Sequence, residues 1–305
     1  MSGGYVHITL AQLAIEEARN RRAGLLHNDA KQALGYWKKF CIVGAVSPDY
    51  PYLDVLDKHS ADWADHMHKG RAIDLLRDGV MRIRGMKDDD IRQKCMAWLF
   101  GFASHVATDG TVHPIVNLKV GGAYEQHKTE HRVCEMSQDV YAHSRLNMGA
   151  LEFNKQISTN VNDTSDENNP DRMDPDVAEL WQDMLTTVYT GLPPPRINDW
   201  HRAMRLMMQI AQSGNKLIPF ARHVAADHGL VYPATPETIY LENLALPDGS
   251  TMNYEDIFQK ALNNTLELWG WLALSLQNKA SPLDTLVSWS LDSGIDEKNR
   301  MTYWA

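Results

Sequence analysis

The stretch HVATDGTVHPIVNLKVGGAYEQHKTEHRVCE, residues 105–135, holds five side chains of the kind that bind metal: His105, Asp109, His113, His131 and Glu135. His105 and Asp109 are four residues apart, and so are His131 and Glu135. On a helix that spacing puts both members of a pair on one face, about 5–6 Å apart at Cβ, close enough to hold one cation. The Gly121-Gly122 turn places the two pairs on consecutive predicted helices, so both can face a shared cleft.

A single His lying four residues from a carboxylate is more often a surface salt bridge. The setting argues otherwise. Trp98, Phe102, His105 and Asp109 follow spacings of four, three and four, so the His and Asp extend the apolar line of their own helix. Polar side chains that point into a core are costly unless paired or bound to a metal. One pair fits a core hydrogen bond; two pairs and a third His point to metal.

Outward from this hairpin, the chain reads as mainly helical. Thr9 with Gln12 forms a capping box for a helix to about Arg22, with His7 just before the cap. Asp29 is the expected N-cap of a second helix to about Ile42. A proline-broken loop, residues 44–54, carries Pro48-Asp49 and Pro51, and is followed by ADWADHMHKG, residues 61–70. A helix through Leu75, Leu76, Val80 and Ile83 comes next, and Asp88 to Asp90 suit the N-terminus of the helix carrying Trp98. Pro114 is expected to end or bend that helix, with the next one running from Tyr124 to about Arg145.

Residues 156–176 are acidic and polar and read as an exposed, mobile loop or linker. Beyond them, residues 177–305 give helices near 177–190 and 199–226, split by Pro193-Pro194-Pro195. A hairpin is expected near 236–253 around Pro247-Asp248-Gly249, then a long helix from Tyr254 to about Gln277 and a short one starting at Pro282. The fold class is all-α with one small β-hairpin.

The 305 residues suffice for one large domain or two ordinary ones. A net charge of −9 argues against a stable nucleic-acid partner. No run approaches the ~20 apolar residues of a membrane span. The N-terminus shows no basic region followed by an apolar one, which reads as cytoplasmic; export by a signal-independent system would leave no mark here. Cys41, Cys95 and Cys134 lack CxxC spacing and read as reduced, buried thiols.

His7, Pro48-Asp49, WADxxH at Trp63–His68, SHxxxD at Ser104–Asp109, His113-Pro114 and HxxxE at His131–Glu135 together resemble the zinc-dependent phospholipase C family, related to single-strand-specific zinc nucleases. The resemblance covers roughly residues 5–145 and implies an all-helical catalytic domain within residues 1–155, with two or three Zn²⁺ ions. By this resemblance Asp49, His68, His105 and Asp109 would surround one zinc, with Asp109 bridging to a second. His113, His131 and Glu135 would hold another, and His7 would reach the third. Secreted members use an N-terminal Trp as a further ligand; this chain has no Trp near its start, and His113 follows Asp109 more closely than in those enzymes.

Imidazole and carboxylate donors suit Zn²⁺, and clustered metals assist in-line displacement at a phosphoester. Asp49 is the expected ligand or general base, with Asp54 of the same loop a second candidate base or a solvated carboxylate. His127 could support His131, or be exposed. Tyr50, Tyr52 and Trp63 flank the ligands and could line a head-group pocket or simply pack. His59, His66, His201, His223 and His228 read as non-ligands, and Met204, Met207 and Met208 as core. The expected activity is a metal phosphodiesterase, a phospholipase C acting on phospholipid at a membrane surface; a regulatory or export partner stays open. The alternatives are a zinc nuclease or nucleotidase on the same cluster and a non-catalytic, metal-stabilised interaction protein.

Overall fold

The computed structural model describes residues 3–20, 24–146, 156–212 and 233–304. Among them the helices run in the order α1 (Gly4–Asn20), α2 (Asn28–Tyr36), α3 (Lys38–Gly44), α4 (Tyr50–Leu53), α5 (Lys58–His68) and α6 (Ala72–Gly85). Then come α7 (Asp89–Val120), α8 (Lys128–Ser144), α9 (Gln156–Asn162), α10 (Pro175–Val188), α11 (Ile197–Gln212) and α12 (Tyr254–Leu276). Between α11 and α12 lies one antiparallel pair, β1 (Leu244–Ala245) and β2 (Thr251–Met252), with Leu244 opposite Met252. The fold is all-α with one small hairpin, as the residue pattern implied.

Helix α7 is the axis of the molecule. From Cys95 to Val116 every residue is buried, the state of a helix that is apolar nearly all round. Asp88 caps it, its side chain accepting from the amides of Asp90 and Ile91. Helix α3 crosses α7 at a glycine pair: a Cβ at Gly44 would lie 2.2 Å from the Trp98 carbonyl oxygen, and one at Gly101 would lie 2.0 Å from that of Cys41. Only glycines allow the two backbones so close. Helix α12 packs on the opposite part of α7, where Trp269 donates its indole N–H to the Phe100 carbonyl at 2.7 Å. Lys94 of α7 bridges to Asp174 and Asp176 at the start of α10, at 2.8 and 2.5 Å.

Several boundaries depart from the local reading, each for a physical reason. Helix α1 begins at Gly4 and includes His7, because Asp139 of α8 accepts from the Val6 amide at 2.8 Å and caps the helix from a distance. The Thr9–Gln12 box is therefore interior and buried. The expected second helix is broken at Trp37 into α2 and α3, with His27, not Asp29, as the N-cap of α2. Pro114 does not end α7; Gly110 and Pro114 are packed by Gly294, where a Cβ would sit 3.0 Å from the Gly110 oxygen and 2.7 Å from Pro114 Cγ. Residues Tyr124–Gln126 form a turn, so α8 starts later than expected.

The acidic stretch 156–176 carries α9 and buries Val161, Thr164 and Met173 against the core. Met204, Met207 and Met208 are core residues, and the three cysteines are free and buried. The expected continuation of α11 to 226, with His223 and His228, lies outside the described residues. Among the described residues no helix is long and apolar enough to cross a membrane.

His201 on α11 is fully buried, 2.9 Å from Ser165 Oγ through Nε2. Burial, then the nearby Arg205, pushes its imidazole down to about 4. The unfolded chain protonates this group near 6.5, so between those values the unfolded state binds more protons and stability falls as pH is lowered. The group alone removes about 2 kcal/mol of stability between pH 7 and pH 5. His201→Gln is expected to lack that part of the loss. Urea midpoints at both pH values check this, and equal falls in both proteins would exclude His201 as the cause.

Candidate metal centre

Four elements bring ligand-type side chains to one buried point. Helix α1 supplies His7, and the 3-10 turn Ser47–Asp49 before α4 supplies Asp49. Helix α5 supplies His68, its last residue, and α7 supplies His105, Asp109 and His113 along one face. His105 Nε2 lies 3.1 Å from Asp109 Oδ2, and His68 Nε2 lies 3.3 Å from Asp49 Oδ1 and 3.6 Å from Asp109 Oδ2. His7 Nε2 is 3.2 Å from the other Asp109 oxygen, Oδ1, and its ring stacks on His105 with centroids 4.0 Å apart. His113 Nε2 faces the same Oδ1 at 3.7 Å.

The hydrogen bonds of two rings settle their tautomers. His68 Nδ1 donates to the Ala64 carbonyl at 2.7 Å, and His105 Nδ1 donates to that of Ala45 at 3.0 Å. A carbonyl only accepts, so both rings carry their proton at Nδ1 in the neutral state. Their Nε2 lone pairs then face each other at 3.2 Å, with Asp49 and Asp109 oxygens alongside. Acceptors gathered like this in a buried space repel one another unless a cation lies among them. Ligands about 2.0–2.1 Å from a tetrahedral zinc stand roughly 3.3 Å apart, so the observed separations suit that ion. His7 Nδ1 and Nε2, Asp49 Oδ1 and His113 Nε2 are likewise buried without a hydrogen-bond partner. Among the described residues, two sets of donors lie close enough to hold an ion, His7–His105–Asp109 and Asp49–His68–His105.

Electrostatics agree with that charge distribution. Burial raises the Asp109 carboxyl, but His113, His105 and His7 together outweigh it and hold the group well below the usual carboxylate range. Asp49 is held low in the same way, burial being outweighed chiefly by His105 and His68. Burial lowers His7, with His105 adding to it. Burial also lowers His105, but Asp109 and Asp49 reverse this, leaving it raised. The carboxylates are ionised at neutral pH, as ligation requires.

His131 and Glu135 face each other on α8. His131 donates from Nε2 to the Gly122 carbonyl at 2.9 Å, which leaves Nδ1 as its lone-pair nitrogen, 3.7 Å from Glu135 Oε1. His113 Nε2 faces Asp109 Oδ1, the oxygen that His7 also faces, and Glu135 is among the charges that act on the His113 ring. His127 supplies the backbone oxygen for the His131 amide and is half-buried.

Other candidates have partners of their own. Asp54 accepts from Ser60 Oγ at 2.8 Å, and Ser60 also receives the Trp200 indole N–H. Tyr50 and Trp63 are buried among other aromatic rings. Tyr52 is half-exposed beside the site, its ring 5.7 Å from that of His68 and its hydroxyl donating to Asp65. His59 is exposed beside Asp62, and His66 packs on Tyr189.

Two contributors escaped the sequence reading. Asp139 extends the ladder His131, Glu135, Asp139 by four residues and caps α1 beside His7, a spacing that offered a hint. Asp292, 3.9 Å from His113 Nδ1, had no local signal.

No curated protein and no solved structure matches the chain. A family model described as zinc dependent phospholipase C matches residues 6–191, a span that includes every ligand-type residue from His7 to Glu135. More than half of the sequence lies within that match, and the chain belongs to the zinc dependent phospholipase C family.

Proposed function

We propose that the chain is a phospholipase C that cleaves phospholipid into diacylglycerol and a phosphorylated head group, using two or three zinc ions. The observation that carries this reading is the facing pair of His68 and His105 lone pairs, enclosed by two carboxylates that are ionised at neutral pH. Asp49, His68, His105 and Asp109 would hold one ion; His7 and Asp109, with His113 beside them, a second; His131 and Glu135 a third.

Zinc supplies Lewis acidity toward the phosphate and toward the attacking water. The protein's own groups do the rest. Nδ1–H bonds to Ala64 and Ala45 keep His68 and His105 from turning, so their Nε2 atoms stay aimed inward. Asp109 bridges two ligand sets through its two oxygens. Asp49 is almost fully buried and its Oδ1, an acceptor without a hydrogen-bond partner, is suited to orient the incoming water's proton. Water oxygen bonds to phosphorus, the bond from phosphorus to the glycerol oxygen breaks, and that oxygen leaves with a proton. Tyr52, half-exposed beside His68, offers an aromatic face to a head group.

Release of phosphorylated head group from mixed phospholipid vesicles tests the reading. Turnover is expected with zinc and is expected to stop when a chelator removes it. A zinc-loaded protein that releases no head group but hydrolyses nucleotides would transfer the site to the alternative nucleotidase activity.

A further inference from the structure

The last part of the chain, outside the family match, folds back onto the ligand-bearing helices. Trp289 is buried and packs edge-on against Tyr303. Trp304 donates its indole N–H to the Thr111 carbonyl on α7 at 2.8 Å. Gly294, at φ +70°, makes a tight turn against Gly110 and Pro114. Such a backbone is strained for any residue with a Cβ. Two further bonds set the position of the segment between these anchors. The Leu291 amide donates to the carbonyl of His68 at 2.7 Å, and Asn117 Nδ2 donates to the carbonyl of Asp292 at 2.7 Å. Asp292 is thus held between the end of α5 and the last turns of α7.

Its carboxylate faces His113. Oδ1 lies 3.9 Å from His113 Nδ1, while the opposite ring nitrogen, Nε2, faces Asp109 Oδ1 at 3.7 Å and makes no hydrogen bond. His68 and His105 each have a carbonyl fixing Nδ1, whereas on His113 the group facing Nδ1 is this carboxylate. Metal-ligating imidazoles are characteristically oriented by a carboxylate or carbonyl on the nitrogen away from the metal.

We propose that Asp292 is a positioning residue of the metal centre: it takes the Nδ1–H of His113 and so directs the Nε2 lone pair to an ion shared with Asp109 and His7. The proposal rests on the cluster being a zinc site. It makes the C-terminal segment part of that site and not an appendage.

The test is zinc affinity of the full-length protein, measured by competition with a chromogenic chelator, for the unaltered chain, Asp292→Asn and Asp292→Glu. Asp292→Asn is expected to weaken one equivalent of zinc by about 10–100-fold and leave the others unchanged. Asp292→Glu is expected to recover most of that affinity, and the metal-free melting temperature should not move. The Co²⁺-loaded proteins should differ in visible absorption in the same order. All equivalents held as tightly in Asp292→Asn as in the unaltered chain would overturn the proposal. So would a uniform loss with a lower metal-free melting temperature and no rescue by Glu. If the unaltered chain binds no zinc, the reading beneath the proposal fails; if it binds zinc but releases no head group, only the phospholipase reading fails.

Discussion

Asp109→Ala is expected to abolish head-group release and to remove at least two equivalents of zinc. Asp109 Oδ1 faces His7 at 3.2 Å and His113 at 3.7 Å, while Oδ2 faces His105 at 3.1 Å and His68 at 3.6 Å. One carboxylate therefore faces His7 and His113 through one oxygen and His105 and His68 through the other. Loss of an outer partner of a metal ligand costs roughly 10–100-fold in affinity or activity, and loss of a shared ligand should exceed that. The variant would also leave the His68 and His105 Nε2 atoms facing at 3.2 Å without one of their two carboxylates. Because metal binding is coupled to folding, the zinc-dependent part of the melting temperature should shrink with it. Metal analysis and turnover on vesicles check this. Asp109→Ala with full zinc and full turnover would mean that the cluster is a buried polar core. Glu135→Ala should be milder in stoichiometry, since Glu135 lies on α8, where it faces His131.

Gly101→Ala is expected to be the most damaging single methyl added to this protein. Its Cβ would lie 2.0 Å from the Cys41 oxygen and 2.8 Å from the Ala45 nitrogen, both backbone atoms that cannot swing aside. Overpacking typically costs about 1–3 kcal/mol, and a clash with backbone belongs at or above the upper end. Against a total stability of about 5–15 kcal/mol this is a large share. The damage reaches the metal centre directly. His105 donates to the Ala45 carbonyl, and Asp49 follows four residues later, so parting α3 from α7 displaces two ligands together. Denaturant midpoints and zinc content should fall in parallel. A native midpoint in Gly101→Ala would show that the two helices separate at little cost.

Much of this was legible in local spacing. Helical periodicity located the long helix through Trp98, Phe102, His105 and Asp109, and Asp88 was recognisable as its cap because the acceptor and its amides are neighbours in the chain. The hairpin around Pro247-Asp248-Gly249 followed from turn chemistry, with Gly249 at φ +85°. Boundaries set by distant partners were not legible. The start of α1 depends on Asp139, 133 residues away, and the passage of α7 through Pro114 on packing against Gly294.

The same division runs through the metal centre. The residue types and the four-residue spacings of His105–Asp109 and His131–Glu135 lie in the sequence, because one helical turn alone brings such pairs together. Which nitrogen of each ring points inward was decided only in three dimensions. Ala64 fixes His68 from its own helix, Ala45 fixes His105 from just beyond the end of α3, and Gly122 fixes His131 from the turn before α8. His113 is spaced from Asp109 as a local pair, yet its second partner, Asp292, is 179 residues further along the chain. Sequence by itself thus determined the helices and the four-residue spacings on which the candidate side chains lie. The tertiary structure decided how they are grouped and aimed, because a ring's tautomer and direction depend on hydrogen-bond partners that chain folding, not chain spacing, supplies.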